Sequence, residues 1–187
     1  LVGVNRMFDL GFTKKELMER GVKLGADVPY CIMRGTALSE GIGEILTELP
    51  APPQCHLVIA KPQISVSTKA VYGKLRVNEL APEEHPDIDG MMESIKNSDL
   101  DGVIGRLGNV LETVTVPDHP EIAEIKKVMM ENGACGSLMS GSGPTVFGIY
   151  KDKEQAEKAC QVLREADGGR LTRQVYLTEF YNRKKAR

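Results

Sequence analysis

Apolar residues in the last third of the chain recur at helical spacing and predict two amphipathic helices. The apolar face of the first helix comprises Ile122, Ile125, Val128 and Met129. We expect Asp118 and Glu121 to cap this helix and Asn132-Gly133 to end it. Asp152 and Gln155 form a capping signal for the second helix. The inward face of that helix comprises Ala156, Ala159, Cys160 and Leu163.

Short apolar runs bounded by turn residues predict strands, listed in chain order as 56–61, 135–139, 145–150 and 173–180. Between the first two runs, the pattern predicts an exposed loop at 78–90 and helical pieces, at 67–75, 88–97 and 99–112. From residue 56 onward the order is therefore strand, helices, strand, strand, helix, strand. This is an α+β, split βαβ arrangement of the ferredoxin-like kind, with helices inserted after the first strand.

A separate set of signals fills the first fifty residues. Apolar residues at the start have helical spacing: Leu1, Val4 and Phe8. This pattern is typical of a helix already under way, so we expect the chain to be a C-terminal fragment of a longer protein. Thr13 and Glu16 form a capping box for a helix that should run to about Leu24. A strand is expected at 35–40.

The adjacent prolines of Ala51-Pro52-Pro53 stiffen the chain and lack backbone donors, so they predict a domain boundary. We therefore divide the chain into a first domain at 1–50 and a second at 51–187.

Charge and composition narrow the possible partners. The chain has 24 basic and 26 acidic residues among 187, for a net charge of −2. The basic run Arg183-Lys184-Lys185-Ala186-Arg187 is expected to be a solvated end, so we predict no nucleic-acid partner. No apolar run approaches the roughly 20 residues of a membrane span. The four cysteines are irregularly spaced, which favours reduced thiols and no metal site. We expect a cytoplasmic protein, or a plastid one if the source is a plant.

The turn Ser140-Gly141-Ser142-Gly143 lies between two predicted strands. Glycine lets the backbone approach a ligand closely, and successive N–H groups in such a turn can bind an anion. A hairpin loop without a ligand is the alternative interpretation. The run matches neither a Walker A motif nor a full dinucleotide fingerprint.

Asp27 stands between a predicted helix and Pro29, so its carboxylate can be aimed into a pocket. A cap or turn residue is the alternative. Glu44 is expected to begin a helix or face solvent. Thr68 and Tyr72 lie four residues apart and share a helical face. A tyrosine there can stack on a ligand ring, with core packing as the alternative.

Four segments in order resemble the GHMP superfamily of small-molecule kinases: Leu24-Gly25-Ala26-Asp27-Val28-Pro29-Tyr30, Gly35-Thr36-Ala37, Glu40-Gly41-Ile42-Gly43-Glu44 and Met139-Ser140-Gly141-Ser142-Gly143-Pro144-Thr145-Val146-Phe147. The resemblance implies that Asp27 is the catalytic aspartate, which takes the proton from the substrate hydroxyl. It implies that Ser140–Gly143 is the third-motif loop, which supports the nucleotide phosphates. Tyr72 matches an aromatic residue against a cytosine, and Thr68 and Ile42 match substrate-contacting positions.

The resemblance also implies ATP with Mg²⁺ as cofactors and a small-molecule substrate. It is most specific for the member that phosphorylates the 2-hydroxyl of a cytidine diphosphate-linked methylerythritol in non-mevalonate isoprenoid synthesis. Residues 1–50 would be the end of an N-terminal lobe of the ribosomal protein S5 domain 2-like type, and 51–187 the GHMP kinase C-terminal domain.

The family's main phosphate-binding motif and its lysine have no counterpart in this chain. We therefore expect the rest of the N-terminal lobe to be missing or to come from a second chain. Residues 1–32 should then show an exposed apolar patch or be covered by that chain, and the isolated chain should neither bind ATP tightly nor turn over. Two alternatives stay open: another GHMP kinase, acting on homoserine or mevalonate, and a non-catalytic ferredoxin-like binding module.

Overall fold

The computed structural model describes residues 1–181, and the basic tail considered above lies outside them. The described residues fall into two compact units. The first is Leu1–Pro52 with Tyr181, and the second is Pro53–Phe180.

Within residues 1–52, short helices precede a β-hairpin. The elements are α1 (Val2–Met7), α2 (Lys14–Gly21), α3 (Val28–Met33), β1 (Thr36–Glu40) and β2 (Ile45–Leu49). The predicted capping box is confirmed, since the Glu16 N–H donates to the Thr13 hydroxyl and the Thr13 N–H to the Glu16 carboxylate. The predicted extension of α2 to Leu24 is wrong. The helix ends at Gly21 and the Leu24 side chain is exposed, so it adds nothing to a buried face.

Gly21, the last residue of α2, lies against the first residue of α3. A Cβ atom on Gly21 would lie 2.8 Å from a methyl carbon of Val28, so only glycine lets α3 approach α2 this closely. Of the two outcomes expected for residues 1–32, a covering chain or an exposed apolar patch, this chain shows exposed apolar side chains at Val4, Met7 and Phe8.

The second unit, residues 53–180, is built on a four-stranded antiparallel sheet with the order β4-β5-β3-β6. Its strands are β3 (His56–Lys61), β4 (Gly136–Met139), β5 (Val146–Tyr150) and β6 (Gln174–Glu179). Its helices are α4 (Thr68–Lys74), α5 (Ile88–Lys96), α6 (Leu100–Gly105), α7 (Glu112–Asp118), α8 (Pro120–Glu131) and α9 (Lys153–Glu165). This order confirms the predicted ferredoxin-like arrangement with helices inserted after its first strand.

Both faces of the sheet are covered, because successive side chains of a strand point to opposite faces. On one face, Val58 and Ala60 of β3 pack in the main core with residues of α8 and α9. On the other, Leu57 and Ile149 form a smaller cluster with Ile104 of α6. Helix α6 therefore covers part of the face that α8 and α9 leave open, whereas Val71 of α4 packs in the main core.

The sequence pattern misplaced several boundaries between β3 and β4. The helix predicted at 99–112 ends at Gly105, and α7 forms separately from Glu112. Asp118 is the last residue of α7 and pairs with Lys74, so its predicted role as a cap of α8 is wrong. Among the described residues, none caps α8 with its side chain. The loop at 78–90 also contains two short 3₁₀ turns, Val77–Glu79 and Pro82–Glu84.

Candidate functional site

Asp27 stands at the N-cap position of α3, with Pro29 buried in the first turn of that helix. Its carboxylate makes no capping hydrogen bond within the helix, and the residue is exposed. Because the packing of α3 on α2 and the proline hold the backbone, the carboxylate is presented on a stiff support.

The turn that joins β1 to β2 lies beside Asp27. A Cβ atom on Gly43, whose φ is +115°, would lie 3.7 Å from Oδ1 of Asp27. The Ile42 N–H donates to the Glu44 carboxylate at 2.8 Å, and the Ile42 side chain is exposed. Glu44 therefore closes the turn and leads into β2, so the expected helix at Glu44 is wrong and the strand was missed. The structure thus brings the predicted residues Asp27 and Ile42 into one neighbourhood of the first unit.

In the second unit, the loop Ser140–Gly143 connects β4 to β5 as a tight turn. The Ser140 N–H donates to the Thr145 carbonyl at 2.8 Å, and the Gly143 N–H donates to the Ser140 carbonyl at 3.0 Å. Gly141 and Gly143 have φ values of +57° and +85°, which favour glycine. A Cβ atom on Gly143 would lie 2.6 Å from the Met139 sulfur, whereas one on Gly141 would meet nothing within 4 Å.

Neighbouring side chains hold the carbonyl groups of this loop. The Asn109 amide donates to the carbonyls of Met139 and Gly141, both at 2.8 Å. The buried Thr115 hydroxyl donates to the Ser142 carbonyl at 3.2 Å. Among the described residues, the N–H groups of Gly141 and Ser142 have no hydrogen-bond partner. The carbonyls of the loop are therefore bound within the protein, whereas two of its backbone N–H groups have no partner among the described residues.

The helix α4 is tied to the same loop. The hydroxyls of Thr68 and Ser142 share a hydrogen bond of 2.8 Å. Tyr72 lies one turn further along α4 and is 60% exposed, so the core-packing interpretation of this residue is wrong. Lys74 at the end of α4 pairs with Asp118 of α7, and this hydrogen bond holds the pKa of the Asp118 carboxyl below its usual value. The predicted residues Thr68, Tyr72 and the loop therefore form one surface.

Sequence reasoning missed the residues that brace this surface. Glu112 accepts the Met139 N–H at 2.7 Å through one carboxylate oxygen and pairs with Lys126 at 2.5 Å through the other. Asn109 and Thr115 bind the loop carbonyls. These residues lie in and just after a segment predicted as one continuous helix, and nothing in their hydrophobic pattern points to a loop 30 residues away. The local signal is Asn109, whose side chain favours turns over helix interiors.

Two cavities lie away from these residues. One of about 320 Å³ in the first unit is lined by Arg6, Lys14 and Arg34, among others. Another of about 520 Å³ in the second unit is lined by Asp87 and Arg106, among others. Neither includes a predicted site residue. Within residues 1–181, no group of three His, Cys, Asp or Glu side chains could hold a metal ion, and no helix is long and apolar enough to cross a membrane.

Comparison with known proteins agrees with this fold. Residues 80–168 match the family described as GHMP kinases C terminal. This part of the chain, just under half of its length, is therefore similar to the C-terminal domain of GHMP kinases. A solved homoserine kinase from Cytophaga hutchinsonii shares the fold, with a TM-score of 0.77 and 20% identity over 95% of this chain and 61% of the other.

Relatives with higher identity carry one particular name. The chain is 56% identical to a protein of Lachnospira eligens named 4-diphosphocytidyl-2-C-methyl-D-erythritol kinase, over 97% of this chain and 61% of the relative. It is 49% identical to a protein of the same name from Lachnoclostridium phytofermentans, over 98% of this chain and 62% of the relative. A crystal structure of 4-(cytidine 5'-diphospho)-2C-methyl-D-erythritol kinase aligns with a TM-score of 0.75 and 25% identity, over 97% of this chain and 62% of the other. The chain thus spans about three fifths of the length of the relatives it matches.

Proposed function

We propose that the protein to which this chain belongs transfers the γ-phosphoryl group of ATP to the 2-hydroxyl of 4-diphosphocytidyl-2-C-methyl-D-erythritol. The observation that carries this proposal is the 56% identity, over nearly the whole chain, to a relative named for that substrate. The loop Ser140–Gly143 supports it, because phosphoryl transfer needs fixed donors for phosphate oxygens and two N–H groups of this loop have no partner within residues 1–181. Residues 1–50 would then be part of an N-terminal lobe, and 51–187 the C-terminal domain.

In this mechanism Asp27 is the general base. Its carboxylate takes the proton as the 2-hydroxyl oxygen bonds to the γ-phosphorus, and the bond from that phosphorus to the leaving oxygen of ADP breaks. The transition state is loose, so positioning and charge stabilisation supply most of the rate. The exposed carboxylate at the start of α3 suits such a base, since the helix does not use it as a cap.

The loop Ser140–Gly143 supports the phosphates through the N–H groups of Gly141 and Ser142. Tyr72, exposed on α4, stacks on the cytosine, and Thr68 and Ile42 contact the substrate. ATP would bring Mg²⁺ with it, and the ion would neutralise negative charge on the phosphates during the transfer.

The test uses Asp27→Asn in the protein that carries this chain at the length of its relatives. Asparagine keeps the shape of the side chain and cannot accept the proton at neutral pH. We expect kcat with the cytidine substrate to fall by about 10²–10⁴-fold, the usual contribution of a general base. Asp9→Asn is the matched control, because Asp9 is also exposed in the first unit and asparagine tolerates its φ of +46°.

Near-normal turnover by a folded Asp27→Asn variant would overturn the role of Asp27. Higher kcat/KM with homoserine or mevalonate than with the cytidine substrate would replace the proposed substrate. No turnover with any of these would favour a binding module.

A further inference from the structure

We propose that Asn109 is a positioning residue that sets the phosphate-binding orientation of the Ser140–Gly143 loop. This inference rests on the proposed function and concerns a residue that does not itself touch the substrate. Asn109 acts by holding two carbonyl groups of the loop region on the protein side, and its bond to the Gly141 carbonyl leaves the Ser142 N–H, which follows that carbonyl, for the phosphate.

The bonding of Asn109 is complete and fixes which way its amide points. The Nδ2 atom donates to the carbonyls of Met139 and Gly141, both at 2.8 Å. The Oδ1 atom accepts the N–H of Leu111 at 3.0 Å. A flipped amide would lose all three bonds, since it would place an oxygen against two carbonyls and a nitrogen against an N–H group.

All four carbonyls from Met139 to Ser142 accept hydrogen bonds from within the second unit. Asn109 binds those of Met139 and Gly141, the Gly143 N–H binds that of Ser140, and Thr115 binds that of Ser142. A peptide group carries its carbonyl and its N–H on opposite sides, so fixing the carbonyl also aims the N–H that follows it. Asn109 therefore aims the N–H groups of Ser140 and Ser142, and that of Ser142 has no partner among the described residues.

The loop needs the Asn109 hydrogen bonds because its glycine backbone is otherwise free to rotate. Gly141 is exposed, and a Cβ atom there would meet nothing within 4 Å, so side-chain packing does not restrain its backbone. The Asn109 bond is what ties the Gly141 carbonyl to the rest of the unit. Without it, the flexible peptide between Gly141 and Ser142 can rotate and present a carbonyl oxygen to the phosphate.

Asn109→Asp tests this inference, because the two side chains have the same shape. Aspartate places a negative oxygen 2.8 Å from two carbonyl oxygens, which drives those peptides to turn. In the full-length protein, we expect kcat/KM for ATP to fall by about 100-fold, the effect of a misplaced active-site group. In Asn109→Ala, kcat/KM for ATP should fall less than in Asn109→Asp, because water can then donate hydrogen bonds to the two carbonyls.

Asn132→Asp is the matched control. Its amide also donates to one backbone carbonyl at 2.8 Å, but that carbonyl belongs to Val128 of α8 and not to the loop after β4. The control should lose stability in a thermal melt and keep the KM for ATP of the unsubstituted protein. If Asn109 only supported folding, Asn109→Asp would behave like Asn132→Asp. Both variants would then give less active enzyme, and neither would change the KM for ATP.

The outcomes separate this inference from the proposed function. Turnover by the unsubstituted protein with unchanged kcat/KM for ATP in folded Asn109→Asp would overturn the role of Asn109 alone. Absence of turnover in the unsubstituted protein would overturn both. If Asn109→Asp does not fold, Asn109→Ala decides, and kinetics for ATP equal to those of Asn132→Asp would refute the inference.

Discussion

Glycine is required for different reasons at positions 141 and 143 of the loop Ser140–Gly143. Gly141 and Gly143 both have positive φ values. Only at Gly143 would an added Cβ atom meet neighbouring side chains, those of Met139 and Thr115. Met139 is almost fully buried and cannot easily move aside. The glycine at 143 is therefore required by packing and by backbone conformation, and the glycine at 141 by backbone conformation alone.

We expect Gly143→Ala to lower the free energy of unfolding by about 3 kcal/mol, the sum of backbone strain and a clash in the core. Gly141→Ala should cost about 1 kcal/mol, from left-handed strain only. Urea unfolding of this chain measures both values. Equal losses of unfolding free energy in the two variants would show that the Met139 side chain moves aside without destabilising the core.

The four cysteines should differ in reactivity. Burial, with the nearby Glu179 charge as a smaller cause, raises the pKa of the Cys55 thiol to about 11, and burial also raises the pKa of Cys160. Since the thiolate is the nucleophile, neither should react with iodoacetamide in the folded chain near pH 8. Cys31 and Cys135 are exposed and should be alkylated first. Peptide mass spectrometry before and after unfolding tests this order, and early alkylation of Cys55 would contradict it.

At the scale of elements, short-range caps set several helix starts. The Asp87 carboxylate accepts the Gly90 N–H at the start of α5 and also the Arg106 guanidinium from beyond α6. The first of these bonds, helped by the second, holds the pKa of Asp87 below its usual value. A lowered pKa in the folded state means that this carboxylate contributes stability above its unfolded pKa and loses it as the pH falls through the folded pKa.

Asp87→Asn keeps a cap acceptor but removes the titrating charge. We therefore expect the variant to be somewhat less stable at neutral pH and to lose less stability between about pH 5 and about pH 2. Urea unfolding across that range provides the measurement. Asp89→Asn removes one charge from the same helix turn and controls for net charge. A pH dependence identical to that of the unsubstituted chain would argue against the Asp87 contribution.

Signals that act within one helix turn predicted their elements well. The Thr13-Glu16 box is in place, and the Asp152 carboxylate accepts the Gln155 N–H at the start of α9 as expected. The break between α6 and α7 was missed because apolar spacing continues through it. The polar Asn109 turns inward there to bind the loop after β4, a contact that no local pattern records.

At the scale of the whole molecule, the two units differ in how much apolar surface they bury. Within residues 1–52 the buried apolar core includes Leu17 and Met33, and no residue of Val2–Met7 is buried. In residues 53–180, Ile122, Ile125 and Met129 of α8 have essentially no exposure.

We expect hydrogen exchange to follow this difference, because local opening is easiest where few apolar contacts are lost. Amides of β3, β5 and α8 should exchange slowest, and those of α1 should exchange fastest. Exchange of this chain followed by mass spectrometry measures both. Equal protection of α1 and α8 would contradict the expectation.

The sequence by itself determined the α+β class, the strand order from residue 56 onward, the N-caps of α2 and α9 and the resemblance to GHMP kinases. Those features depend on residues within a few positions of each other, or on motifs that stay contiguous. The tertiary structure decided the rest. It joined Thr68 to Ser142 across 74 positions and Asn109 to Gly141 across 32, and it placed the Gly43 turn beside Asp27. Such contacts form only when distant segments pack, so spacing along the chain does not encode them in a readable pattern.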